Sequence, residues 1–155
     1  MPIFKFIANS HTKKLFRNLS QPQNEALVEA LAFAKIVDGE IAPEERKELG
    51  DALKMLSWQG AYEVESFIDH AVERARALKI DPGQTQAYLL SISERLGEDW
   101  LREEAYHISA LIALSDRVVV EKERALLQGM VETFDIPPEK LELITRKLIR
   151  EAESM

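Results

Sequence analysis

Two pairs of acidic residues occur at the same spacing in the two halves of the 155-residue chain. In the first half Glu45 follows Asp38 by seven positions, and in the second half Glu123 follows Asp116 by the same interval. Each Asp ends an apolar stretch. Carboxylate oxygens are the ligands that hard divalent cations such as Ca²⁺ and Mg²⁺ prefer. If the two loops lie together in the fold, the four side chains could bind one such cation.

The same acids have a second interpretation, in which they stabilise the ends of helices. A helix that begins at Pro43 has Glu45 as its third residue, where the carboxylate can accept a hydrogen bond from the cap amide. Its negative charge also interacts favourably with the positive end of the helix dipole, which stabilises the helix by about 0.3–1 kcal/mol. Asp38 can accept from loop amides, and Gly39 permits a positive φ. The residues alone leave the capping and cation interpretations open.

A calcium-binding EF-hand loop is excluded at both places. Counted from Asp38, that loop needs Gly at its sixth position and an acid at its twelfth, but Pro43 and Leu49 occupy them. The second copy has Glu121 and Leu127 at the same positions. A cation would therefore need a site built from both loops.

The elements that would position these acids are helices throughout the chain. Apolar residues recur at helical spacing, and the few Gly and Pro residues stand between the periodic segments. Helices are predicted at about 3–18, 20–37, 43–56, after residue 60, 81–97, 98–115, 120–134 and 138–154. The prediction is an all-α, single-domain bundle of seven to eight helices, with 1–20 as a basic amphipathic N-terminal helix and 21–155 as the main domain.

The two halves of the chain match when Asp38 is aligned with Asp116. Both copies then consist of an apolar helix, the Asp, an aliphatic residue three positions later and the Glu. The pattern predicts pseudo-repeats of helix-loop-helix units at about 24–78 and 102–155. Residues 27–37 and 105–114 are apolar on nearly every face, so we expect both at the centre of the domain.

These residues carry a resemblance to a known family. "AFAKIVDGEIAPEERKEL" (32–49) resembles the signature of the tellurite-resistance TerB family and its TerB-like relatives. "LIALSDRVVVEKERALLQGMVETFDIPPEKL" (111–141) resembles the second copy of that signature. The similarity covers roughly residues 24–150. It implies an all-helical fold of two pseudo-repeats and a role in resistance to tellurite and related stresses. It also implies a metal-binding site formed by Asp38, Glu45, Asp116 and Glu123.

The charge of the chain is unevenly distributed. The net charge is −7 overall, but residues 1–24 contain Lys5, Lys13, Lys14 and Arg17 and no acid. An acidic main domain repels phosphates, which argues against nucleic acid as a partner. Residues 3–19 have apolar residues roughly on one side, so this segment either packs on the bundle or contacts an anionic membrane surface.

The sequence gives little indication of an enzyme. It has no cysteine, so thiolate zinc sites and cysteine nucleophiles are excluded. It also has no phosphate-binding loop, nucleophile elbow or His-Glu-x-x-His motif. Glu104 and His107 are spaced as half of a di-iron site, but no second half exists. We therefore interpret them as an ordinary pair on a helix surface.

These observations lead to two functional hypotheses. The first is a non-enzymatic TerB-like module of a tellurite or stress response that binds a divalent metal ion through its acidic loops. The alternative is an acidic protein-interaction adaptor whose basic N-terminal helix docks on a membrane or a partner. The absence of cysteine, of a signal-peptide pattern and of a long apolar stretch predicts a cytoplasmic protein, peripheral to the inner membrane face in the second hypothesis.

Overall fold

The all-α prediction is confirmed by a computed structural model of the chain. It describes residues 16–37, 41–54, 56–60, 63–80, 82–114 and 121–154, and that part contains no strand. Its seven α-helices are α1 (Gln21–Ile36), α2 (Pro43–Leu53), α3 (Val64–Ile80), α4 (Thr85–Leu96), α5 (Asp99–Leu114), α6 (Glu121–Thr133) and α7 (Pro138–Ser154). Short 3-10 turns occur at Phe16–Asn18 and Pro82–Gln84.

Helix α1 lies inside the bundle and contacts α3, α4 and α5. Every residue from Ala26 to Ile36 is buried except Lys35, because alanine and large aliphatic side chains occupy all of its faces. In α5 the run from Ala105 to Ala113 is buried in the same way. Both apolar segments therefore form the core, and the other helices cover them. The proposed repeat relation between 24–78 and 102–155 stays a prediction.

A capping box begins α1, as its sequence predicts. The Ser20 hydroxyl accepts a hydrogen bond from the Gln23 amide at 3.3 Å, and the Gln23 side chain accepts one from the Ser20 amide at 2.8 Å. The Gln23 side-chain amide also donates to the Leu96 carbonyl at 2.9 Å. Leu96 ends α4, and Gly97 continues the chain with a φ of 76° that favours glycine. The cap thus joins the start of α1 to the end of α4.

The predicted N-terminal helix at 1–20 falls largely outside the described residues. The described end of this segment is a 3-10 turn at Phe16–Asn18. Leu19 is buried in the core, and the Ser57 hydroxyl donates a hydrogen bond to the Arg17 carbonyl. The chain is therefore attached to the bundle from residue 17 onward.

A buried polar cluster links α1 to α4, and no local pattern in the sequence predicts it. The Glu29 carboxylate accepts hydrogen bonds from the Tyr88 hydroxyl, at 2.8 Å, and from the Arg95 guanidinium. Burial raises the pKa of the Tyr88 phenol, and the negative charge of Glu29 raises it further. Arg74 lies over the Tyr88 ring, with its guanidinium carbon 5.0 Å from the ring centre. Because each of these groups is paired, the core tolerates a carboxylate.

We predict that Glu29→Ala lowers the free energy of unfolding by about 2–4 kcal/mol, because it leaves the Tyr88 hydroxyl and the Arg95 charge without their acceptor. Urea unfolding measures the change. Glu94→Ala, at an exposed position of α4, is the matched control and changes stability by about 0.5 kcal/mol or less. An equal effect of the two substitutions would contradict the role of the cluster.

Candidate functional site

The structure describes the predicted cation ligands only in part. Glu123 is the third residue of α6, and it is 2% exposed. Glu45 is the third residue of α2, although its side chain is not among the described ones. Asp38 and Asp116 lie outside the described residues. The two glutamates thus have the same place in their helices, as the spacing of the sequence predicts.

The end of α1 and the start of α6 line one cavity of about 450 Å³. Val37, which directly precedes Asp38 in the chain, lines this cavity at the end of α1. Lys122, which directly precedes Glu123, lines it from the first turn of α6. The end of one core helix and the start of α6 are therefore on the same side of the domain.

The burial of Glu123 distinguishes it from an ordinary capping acid. A solvent-exposed acid in a first turn contributes about 0.3–1 kcal/mol, whereas an unpaired buried carboxylate costs far more than that. Glu123 has a partner in the fold, so it is not an isolated buried group. Among the side chains that the structure describes, no three His, Cys, Asp or Glu residues form a group that could hold a metal ion.

His107 contradicts the interpretation of an ordinary pair on a helix surface. His107 is only 6% exposed, and its Nε2 atom lies 2.5 Å from a carboxylate oxygen of Glu151 in α7. The Nδ1 atom is 3.6 Å from a carboxylate oxygen of Glu104, one turn earlier in α5. The sequence showed only the local partner, because Glu151 is 44 positions away. His107 therefore joins two helices.

The pKa of His107 reflects a competition between burial and its two acids. Burial disfavours the charged imidazolium and acts to lower this pKa. Hydrogen bonds to Glu104 and Glu151, together with their negative charges, outweigh burial and hold the pKa above its usual value of 6.5. Protonation of the ring therefore strengthens the contact between α5 and α7.

A groove of about 840 Å³ runs beside this contact, between α5 and α7. Trp100 and His107 line its α5 side, and Leu143, Lys147 and Arg150 line its α7 side. The tryptophan is 37% exposed. Its indole N–H donates a hydrogen bond to Glu98 at 3.1 Å, which orients the ring at the end of the groove.

No protein-family model, no curated protein and no solved structure matches the chain. The resemblance to the TerB family therefore stays a prediction from the two short motifs. Among the helices that the structure describes, none is both long and apolar enough to cross a bilayer.

We predict that the free energy of unfolding falls as the pH rises above 6.5, the usual pKa of a histidine. A histidine with a raised folded-state pKa stabilises the fold fully below its unfolded pKa, and this stabilisation is lost as the pH passes the folded pKa. Chemical unfolding of wild type and Glu151→Gln at each pH measures the effect. The variant has a smaller pH dependence, whereas exposed Glu94→Gln keeps that of wild type. Identical profiles for wild type and Glu151→Gln would contradict the assignment.

Proposed function

We propose that the chain is a non-enzymatic TerB-like module of a tellurite or related stress response that binds a divalent cation between its two helical junctions. The ligands are Asp38, Glu45, Asp116 and Glu123, each a carboxylate. One observation carries the proposal: the residues next to Asp38 and next to Glu123 line the same cavity. A cation there connects the two halves of the bundle.

The chemistry of these donors fits a hard cation. Ca²⁺, Mg²⁺ and Mn²⁺ take oxygen ligands, whereas a site for Zn²⁺ most often includes histidine or cysteine. Four carboxylates repel one another when they converge, and a dication removes much of that repulsion. Binding therefore stabilises the fold, because the folded chain alone brings the ligands together.

We predict that isothermal titration calorimetry detects one divalent cation per chain, with oxygen-preferring ions binding more tightly than Zn²⁺. At an ion concentration of about 100 times the Kd, binding adds about 2.7 kcal/mol to the free energy of unfolding. That increment raises the melting temperature by roughly 5–10 °C for a domain of this size.

The double variant Asp38→Asn/Asp116→Asn abolishes both the heat and the thermal shift under this proposal. Asp51→Asn, at an exposed position of α2, is the control and binds like wild type. Absence of heat from wild type with Ca²⁺, Mg²⁺, Mn²⁺ and Zn²⁺ would rule out the cation site. Equal binding by wild type and the double variant would rule out these ligands.

The second candidate is an acidic interaction adaptor with a basic N-terminal segment that docks on an anionic membrane or an acidic partner. The asymmetry of charge favours it, because Lys5, Lys13 and Lys14 precede a domain that is strongly acidic. Leu19 is buried in the core, and the three lysines precede the first residue that the structure describes. Each base near an anionic surface contributes about 1 kcal/mol to membrane binding.

The adaptor hypothesis predicts that the full chain sediments with phosphatidylserine-containing vesicles and that a chain beginning at Phe16 does not. This shorter chain retains Leu19 and the Ser20 cap, and far-ultraviolet circular dichroism checks that it keeps the helical fold. Vesicles of phosphatidylcholine alone are the control and retain neither chain. Equal sedimentation of both chains with anionic vesicles would contradict a membrane role for the segment.

A further inference from the structure

The groove between α5 and α7 concentrates exposed apolar surface. Four large hydrophobic side chains are exposed in the part of the chain that the structure describes, and three of them line this groove. They are Trp100 at 37%, Leu143 at 55% and Ile149 at 54% exposure. Exposed apolar residues occur singly on ordinary surfaces, whereas a contiguous group marks a binding site.

The charge of the groove is opposite to that of the protein. Its lining contains four bases and two acids, whereas the chain as a whole carries a net charge of −7. The bases are Lys140, Arg146, Lys147 and Arg150, and the acids are Glu103 and Glu104. Arg146 is paired with Glu142 of the same helix at 2.6 Å. The lining still carries more bases than acids on an acidic protein, so charge complementarity favours an acidic ligand.

The groove is already formed in the isolated chain. Its two sides are held together by the bond between His107 and Glu151 and by Ile144 and Leu148, which are both buried. Lining residues follow helical spacing on each side, with Trp100 to His107 on α5 and Lys140 to Lys147 on α7. Because the groove is preformed, binding of a ligand costs little free energy for ordering the protein.

We propose that this groove binds an acidic amphipathic helix from a partner protein. Two neighbouring helices make a channel in which a third helix can lie, with its apolar face toward Trp100, Leu143 and Ile149. Glutamate or aspartate residues beside that face pair with the bases of α7. This inference is independent of the proposed cation, because the groove and the acidic junctions consist of different residues.

The same observations argue against other occupants. The N-terminal segment of this chain is basic between Lys5 and Arg17, so the bases of the groove repel it. A membrane surface favours apolar residues that protrude together, whereas the recess between α5 and α7 is concave. An acidic helix satisfies both the apolar surface and the charge.

Tryptophan fluorescence gives a direct test, because the chain has two tryptophans and one of them lines the groove. In the full-length Trp58→Phe variant, all tryptophan emission comes from Trp100. The probe is a peptide of about 18 residues, which is about 27 Å long as a helix. It has leucines at helical spacing, glutamates elsewhere and no aromatic residue. We expect saturable binding with a blue shift of the Trp100 emission.

Two substitutions and one matched peptide test the predicted contacts. Leu143→Asn weakens binding by about ten-fold or more, because it removes an apolar anchor. Lys147→Glu weakens it by about ten-fold and reduces its salt dependence. Leu90→Asn and Lys54→Glu, both at exposed positions outside the groove, leave the affinity unchanged. A peptide with lysine in place of glutamate binds at least about ten-fold more weakly than the acidic one.

Four results would overturn the proposal. The first is no saturable change with the acidic peptide, and the second is equal binding of the lysine peptide. The third is a blue shift with phosphatidylserine-containing vesicles but not with the peptide, which would assign the groove to membranes. The fourth is self-association in sedimentation equilibrium that Leu143→Asn abolishes, which would assign it to a second copy of the chain. Because none of these assays contains a divalent cation, failure here is distinguishable from failure of the cation site.

Discussion

The fold depends on the enclosure of helix α1. Its alanine and aliphatic side chains leave no face for water, so α3, α4 and α5 must pack around it. Two polar residues of this helix, Asn24 and Glu29, are buried, and groups from other segments donate to or accept from their side chains. The Asn24 side chain donates to the Ser57 carbonyl at 2.9 Å, and the Glu29 carboxylate accepts from Tyr88 and Arg95. These contacts join α1 to α4 and to the segment that follows α2.

Local signals in the sequence predicted most of the helices, and long-range polar contacts escaped prediction. The cap at Ser20 and the proline at 138 are signals that a few neighbouring residues are enough to recognise. Helices α1 and α7 begin at these two positions. The sequence predicts that α2 continues to residue 56, but the helix ends at Leu53. Leu56 is still buried, because a turn after Leu53 brings it to the core. The apolar spacing therefore continues beyond the end of the helix. The partners of Glu29 are 59 and 66 positions away, so no periodic pattern could reveal them.

The two candidate sites also differ in whether local sequence signals or long-range packing reveals them. The acidic junctions were proposed from the sequence because each is a short motif that recurs, and Glu123 is the third residue of α6. The groove was missed because its two sides come from α5 and α7, and its character depends on which residues the packing leaves exposed. Leu143 and Ile149 looked like any other apolar residues of an amphipathic helix. Only the tertiary structure shows that they remain outside the core.

The central claim is that the two acidic junctions converge, and a distance between spin labels tests it most directly. Because the chain has no cysteine, Asp38→Cys and Asp116→Cys can be labelled without background for pulsed electron-electron double resonance. A domain of this length has a radius of gyration of about 15 Å. The account predicts a label separation below about 20 Å, whereas a separation above about 30 Å, close to the full width of the domain, would contradict it.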